Sequence, residues 1–207
     1  MKKWYVLSML TLITTFLFVY CNEPKAEAEA PTETAGTATT TAENYGGYDS
    51  PVKWGEHLVT VGGCNDCHSP KKMTPMGPDI DSSLMLAGHI AGSPEPQIDR
   101  KMISAKGLVV TSDLTTWIGP WGVSYTANLT SDETGIGSWK EEQFIKAIRE
   151  GKLKGLDNTR PILPPMPWQM YKHLRDDELK AIFAYLKSTK PIKNVVPQPQ
   201  PPAGSKK

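Results

Sequence analysis

Cys64-Asn65-Asp66-Cys67-His68 is the segment of this chain whose residue types and spacing can do chemistry. Two thiols two residues apart, with an imidazole directly after the second, match the arrangement that attaches a haem covalently. Each sulfur adds to one vinyl group, a helical turn holds the sulfurs at the vinyl spacing, and the histidine turns toward the iron. Other readings of a Cys-x-x-Cys pair fit less well. A zinc site needs a second ligand pair, and the chain's remaining cysteine, Cys21, lies far away at the end of an apolar run. A redox dithiol of the thioredoxin kind needs a βαβ pattern around it, and none is visible. The motif occurs once, so one haem is expected, which argues against chemistry needing two haems in one chain.

The iron's sixth ligand must come from elsewhere, normally from methionine or histidine. The chain has 8 methionines. Met166 stands out because it sits in Leu163-Pro164-Pro165-Met166-Pro167-Trp168. Prolines fix φ and remove backbone donors, so this methionine rides on a stiff loop, as suits a ligand that should not wander when the iron changes charge. Met170, Met73, Met76 and Met85 are weaker candidates, since a methionine is ordinarily core filler. His57, His89 and His173 would give bis-histidine ligation, but each reads more simply as a packing or surface residue.

Few elements are needed to hold these groups. Residues 52–62 have Trp54, Leu58 and Val61 on one helical face, leading directly into Cys64. A second helix is predicted from about Trp139, with Ser138 as N-cap, Glu141 completing a capping box and Gly151 as the stop. A last helix begins near Asp176, where Asp176-Asp177-Glu178 suit its positive end better than they suit a metal. Leu179, Ile182, Phe183 and Leu186 form its apolar stripe, and Pro191 ends it. Residues 69–135 are rich in Pro and Gly and read as irregular, a length of loop that a large cofactor would have to organise. The expected fold class is mostly α: few short helices with long Pro/Gly-rich loops wrapped around one covalent haem, in a domain spanning 49–191.

The ends differ from the middle. Met1-Lys2-Lys3 is followed by an uncharged, mostly apolar run from Trp4 to Tyr20, the layout of an export signal. Cys21 at its end resembles the acylated cysteine of a bacterial lipoprotein, although Tyr20 departs from the small residue usual before it. Residues 1–21 are therefore expected to be a lipoprotein signal or an uncleaved anchor, with small-x-small cleavage near Ala26–Ala30 and soluble export as the alternative. Each route places the protein outside the cytoplasm, in the periplasm. Residues 22–48 are rich in Ala, Thr and Glu and read as a flexible tether, while residues 192–207 read as a Pro-rich extended tail. From Asn44 onward the charge is about +3, most of which two haem propionates would cancel. Nothing in this balance calls for nucleic acid as a partner.

The helix before Cys64, the haem motif, Gly77-Pro78-Asp79-Ile80, the late methionine loop and a final helix carrying Tyr185 together resemble class I, mono-haem cytochromes c. The middle is similar to a longer bacterial subgroup, through Trp117-Ile118-Gly119-Pro120-Trp121-Gly122, Ala127-Asn128-Leu129-Thr130, Glu133 to Trp139, and Arg160-Pro161-Ile162-Leu163-Pro164-Pro165-Met166-Pro167-Trp168. The resemblance covers residues 52–190. It implies that the carbonyl of Pro78 accepts the hydrogen bond of His68, that Met166 is the second iron ligand beside His68, and that the first and last helices cross. Members of the subgroup are electron carriers, some associated with alcohol or aldehyde dehydrogenases. Arg160, Trp139, Trp121 and Asn128 are candidate donors to the haem propionates, and Lys71 and Lys72 could flank an exposed haem edge and steer redox protein partners. The function implied is a one-electron carrier and not an enzyme, tethered by a lipid on Cys21 or an uncleaved anchor. The alternatives are a haem enzyme or gas sensor with an open axial site, and a dedicated cytochrome subunit of a periplasmic dehydrogenase complex.

Overall fold

The computed structural model describes residues 44–101, 103 and 107–204. The signal or anchor read at 1–21 and residues 22–43 of the tether read at 22–48 lie outside the described residues. Among the described residues no helix is long and apolar enough to cross a membrane.

Helix α1, Pro51–Val61, starts where Ser50 Oγ accepts a hydrogen bond from Lys53 N (3.2 Å) and Pro51 occupies a position that needs no donor. It buries Trp54, Gly55 and Val59. Val61, expected on the inner face, is instead 65% exposed. The buried stripe is turned toward Gly55 because that residue meets the last helix at close range: a Cβ there would overlap the carbonyl of Ala181 and crowd Tyr185. Helix α2, Cys64–His68, follows after Gly62 and Gly63.

Helix α3 spans Glu141–Glu150 and buries Phe144, Ala147 and Ile148. Ser138 is not its cap. Trp139 N still donates to Ile136 O in a preceding turn (2.9 Å), so the helix begins later, with Lys140 at the N-cap and no side-chain cap. Gly151 (φ 64°) ends it as the sequence suggests. Helix α4, Trp168–Tyr171, is a single turn. Helix α5, Asp176–Ser188, has acidic residues through its first turn, and Glu178 Oε2 accepts from Arg175 N (2.7 Å). It buries Leu179, Ala181, Ile182, Phe183 and Leu186, the stripe visible in the sequence. The core joins this stripe to Val59, Leu86, Ile136, Phe144 and Ile148, with the Phe144 and Phe183 rings 5.4 Å apart. Each such side chain contributes about 1.5–3 kcal/mol on burial.

The region read as irregular contains two small antiparallel sheets, so mostly α describes the fold only in part. Strands β1 (Lys71–Thr74) and β2 (Gly77–Ile80) form a hairpin, and β3 (Val109–Val110), β4 (Thr116–Gly119) and β5 (Gly122–Tyr125) form a three-stranded sheet in that order. The described part of the C-terminal tail, read from sequence as extended, is strapped to the domain. Asn194 Nδ2 donates to Ala87 O and His89 O (both 2.8 Å) while its Oδ1 accepts from Ala91 N (3.1 Å). Gln200 pairs with Val123 at the edge of β5, and glycine at position 122 (φ 103°) leaves room for this crossing.

Gly55→Ala is expected to push α1 off α5. Overpacking of this kind costs about 1–3 kcal/mol. At roughly 2–4 °C per kcal/mol for a domain of this size, calorimetry should show the unfolding midpoint falling by several degrees. An unchanged midpoint would mean that the helices are not in backbone contact.

Candidate haem-attachment site

Gly63 (φ 67°) turns the chain from α1 into α2 in a left-handed conformation that favours glycine, and Gly62 N is anchored on Leu58 O (2.8 Å). Cys64 and Cys67 are three residues apart on this turn, which puts both sulfurs on one side. Both are free thiols and half-buried. Burial pushes the Cys64 thiol up to about 11. Burial also raises Cys67, against the opposing pull of Lys71.

His68 Nδ1 lies 2.8 Å from Ala127 O. A carbonyl can only accept, so Nδ1 carries the hydrogen and Nε2 keeps its lone pair. Burial holds the imidazole below its usual pKa, against the raising effect of the Ala127 bond, which keeps it neutral. This is the state required of a metal ligand whose other nitrogen is braced by a carbonyl. Pro78 does not supply that carbonyl. It is exposed on β2, opposite Met73 in the hairpin. A glycine-proline pair in an irregular loop could have turned inward, but here it belongs to a strand. The rest of the clamp is also local to α2: Gly88 N donates to His68 O (2.8 Å), and Ser69 Oγ donates to Asn65 Oδ1 (2.8 Å) while accepting from Leu86 N (2.9 Å).

Met166 is half-buried and packs on the same core as Cys64, Trp139 and Tyr171. Its loop is fastened on both sides. Leu153 N donates to Arg160 O (3.0 Å), Ile162 N to Gly151 O (2.7 Å), and Ser124 Oγ to Pro164 O (2.6 Å). The ring of Trp168 lies against Gly151, where a Cβ would overlap it. The competing ligand candidates sit elsewhere. Met170 is 72% exposed, and Met73 and Met76 are exposed on the β1–β2 hairpin. His57 and His173 are at the surface, and His89 is buried against Thr115 and Thr116.

The four proposed propionate donors separate into two groups. The Trp121 indole donates to Ser124 Oγ (3.1 Å), and Asn128 spends its amide on Ile192 O (2.9 Å) and Thr130 N (2.9 Å). Both are therefore structural. Arg160 is half-buried, bonds only the carbonyl of Pro161 (2.9 Å), and burial lowers its pKa. Among the described residues it has no carboxylate partner. A partly buried, unneutralised guanidinium is what a propionate would satisfy. Trp139 is half-buried at the core, and its indole has no hydrogen bond among the described residues. Lys71 Nζ is held by the carbonyls of Asp66, Ser69 and Asp113 (2.5, 3.2 and 3.2 Å), whereas Lys72 is exposed. Two participants had no sequence signal: Ala127, which acts through its main chain, and Tyr171, whose hydroxyl donates to Gly62 O (2.6 Å) beside Cys64. Paired thiols, a neutral imidazole with a free lone pair, a methionine on the same core and an unpaired guanidinium fit a haem with its propionates.

No family model matches the chain. It is similar to the gluconate 2-dehydrogenase cytochrome c subunit of Pantoea cypripedii, at 30% identity over 138 residues, covering 66% of this chain and 23% of that protein. It is also similar to the fructose dehydrogenase cytochrome subunit of Gluconobacter japonicus, at 36% over 86 residues (40% and 17%). A third match is the cytochrome c subunit of the alcohol dehydrogenase (quinone) of Gluconobacter oxydans, at 36% over 75 residues (35% and 15%). The chain spans less than a quarter of the length of these relatives. The similarities support a cytochrome c relationship at low identity, and with it haem c binding and electron transfer.

In the haem-free protein, an alkylating reagent at mildly alkaline pH should label Cys67 before Cys64, because the thiolate is the reactive form and Cys64 is the more strongly held as thiol. Peptide mapping over a time course measures this. Equal rates would contradict the burial of Cys64.

Proposed function

We propose that this chain is a mono-haem c-type cytochrome that carries single electrons outside the cytoplasm as the cytochrome partner of a dehydrogenase. The observation that carries the reading is the Cys64-x-x-Cys67-His68 turn with His68 Nδ1–H committed to Ala127. Bound haem supplies one-electron chemistry at its iron. Cys64 and Cys67 would hold it as thioethers, His68 Nε2 and the proline-framed Met166 would ligate its iron, and Arg160 and the Trp139 indole would meet its propionates. Two protein ligands leave no position for a substrate, and a methionine ligand favours a higher potential than a second histidine would. The dehydrogenase pairing is favoured over a free-standing carrier because the relatives are named as dehydrogenase cytochrome subunits. Tethering through Cys21 or an uncleaved anchor belongs to the same reading.

The mature holoprotein should have the mass of the chain plus one haem, together with acyl chains if Cys21 is the new N-terminus. Met166→Ala should remove the methionine–iron signature from the ferric spectrum and let carbon monoxide bind the reduced protein rapidly at neutral pH. If the wild type already binds carbon monoxide rapidly, the axial site is open and the sensor or enzyme reading replaces this one.

A further inference from the structure

Beside β3 lies a cavity of about 530 Å³ whose wall includes Lys71, His89, Glu95, Asp113 and Thr115. The haem reading leaves His89 without a role, yet its side chain is 2% exposed and its two nitrogens are treated unequally. Thr115 commits its one hydroxyl hydrogen to Asp113 Oδ2 (2.8 Å), so its oxygen accepts from His89 Nδ1–H (3.1 Å). Thr116 Oγ1 is 3.0 Å from the same nitrogen. The hydrogen therefore sits on Nδ1, backed through Thr115 by a carboxylate. Nε2 has no hydrogen-bond partner, and among the described residues no fully buried side-chain nitrogen is left unsatisfied, so Nε2 keeps some access to solvent while the residue lines the cavity. The backbone ties this ring to the iron-ligand segment. The preceding residue, Gly88, donates to His68 O (2.8 Å), and His89 N donates to Thr126 O (3.0 Å), one residue before the carbonyl that braces His68.

We propose that His89 is a redox-linked proton site: as an electron enters at the iron, Nε2 takes up a proton from solvent through this cavity, and releases it on oxidation. The inference rests on the haem reading above. One electron comes from the redox partner and one proton from water. The ring passes from neutral imidazole to imidazolium, and no covalent bond of the protein changes otherwise. His89 acts through the charge it places beside the His68 segment, as a positioning residue rather than a catalytic one.

The groups around it set the direction. Glu95 and Asp113 favour the imidazolium, while burial disfavours it more strongly and holds His89 below the ordinary 6.5. The Tyr125 ring lies 4.9 Å away, and its phenol, pushed up to about 12 by burial and the Glu95 carboxylate it bonds, stays protonated. Lys71 opposes a second positive charge from the cavity wall, and Arg100 lies further out, bonded to Gln200. Reduction removes one positive charge at the iron, so the ferrous state favours imidazolium and raises the ring's pKa relative to the ferric state. The reduction potential is therefore highest in acid and falls as pH rises between those two values.

The test is the midpoint potential of the holoprotein from about pH 5 to pH 8, the window in which histidine titrates, for the wild type and for His89→Gln. The expected result is a fall with pH in the wild type that is flattened in the variant. A tenfold shift between the two redox states' proton affinities corresponds to about 59 mV for one electron. A second measurement needs no variant: nuclear magnetic resonance titration of the His89 ring in ferric and ferrous wild type should give the higher pKa in the ferrous form. Equal pKa values overturn the inference, as does a pH slope that survives His89→Gln, which would belong to another group such as a propionate. Covalent haem with a pH-independent potential overturns this inference alone. A protein that never acquires haem overturns the haem reading and this inference with it.

Discussion

The bond from His68 Nδ1–H to the carbonyl of Ala127 spans 59 residues of sequence, and the geometry of the site depends on it. Without it, His68 could present either nitrogen and swing on its own χ angles. With it, the ring has one tautomer and one orientation, and Nε2 keeps its lone pair. Making that bond requires α2 to arrive at a fixed place and residues 126–128 to pass it at a fixed height. The first requirement is met by the glycine corner between α1 and α2 and by the contact of Gly55 with α5. The second is met by β5, which delivers Thr126 and Ala127, and by the contacts of Gly88 and Leu86 on either side.

A chain segment with so little regular structure needs another source of rigidity, and here it is a set of satisfied buried amides and hydroxyls. Asn128, Thr130 and Asn194 are all buried. Asn128 joins Ile192 to Thr130, Thr134 joins Asn128 to Asn194, and Asn194 joins residues 87, 89 and 91. Among the described residues no fully buried polar side-chain atom lacks a partner. A network of this kind specifies one arrangement, because losing a single member leaves the others unpaired in a medium where that is costly. The cofactor-sized irregular region is thus partly held by its own polar groups, independently of any bound group.

Much of the helical frame was legible in the sequence, because periodic burial leaves a mark. The stripe on α5 and the glycine stop of α3 appear where the pattern put them. On α1 the pattern misled at Val61, since apolar spacing alone does not reveal that the contact is made through a glycine with no side chain to count. Ser138 showed a capping box that a competing turn at Ile136–Trp139 displaced. The strands were missed because they are two to four residues long, too short for alternation to register. For the site, chemistry singled out the Cys64–His68 motif, and the proline frame singled out Met166, which the fold places on the same core as Cys64. The brace on His68 was assigned to Pro78, whereas the carbonyl used belongs to Ala127. Main-chain acceptors carry no side-chain signature, so only tertiary structure distinguishes one carbonyl from another. The same holds for Asn194, a polar residue in a tail that composition describes only as extended.

The contact between α1 and α5 has a consequence for the order of events as the chain is made. The thiols sit within the first third of the chain, while the helix that covers their neighbourhood begins at Asp176. A polypeptide made from its N-terminus therefore carries Cys64 and Cys67 through a long interval in which the closing element does not yet exist. Such high contact order also makes closure slow once the chain is complete. During that interval the burial that raises the Cys64 thiol is absent, and the cysteine has the ordinary acidity of an unfolded chain. The folded domain holds Cys64 as the thiol, and the unfinished one leaves it open to reaction.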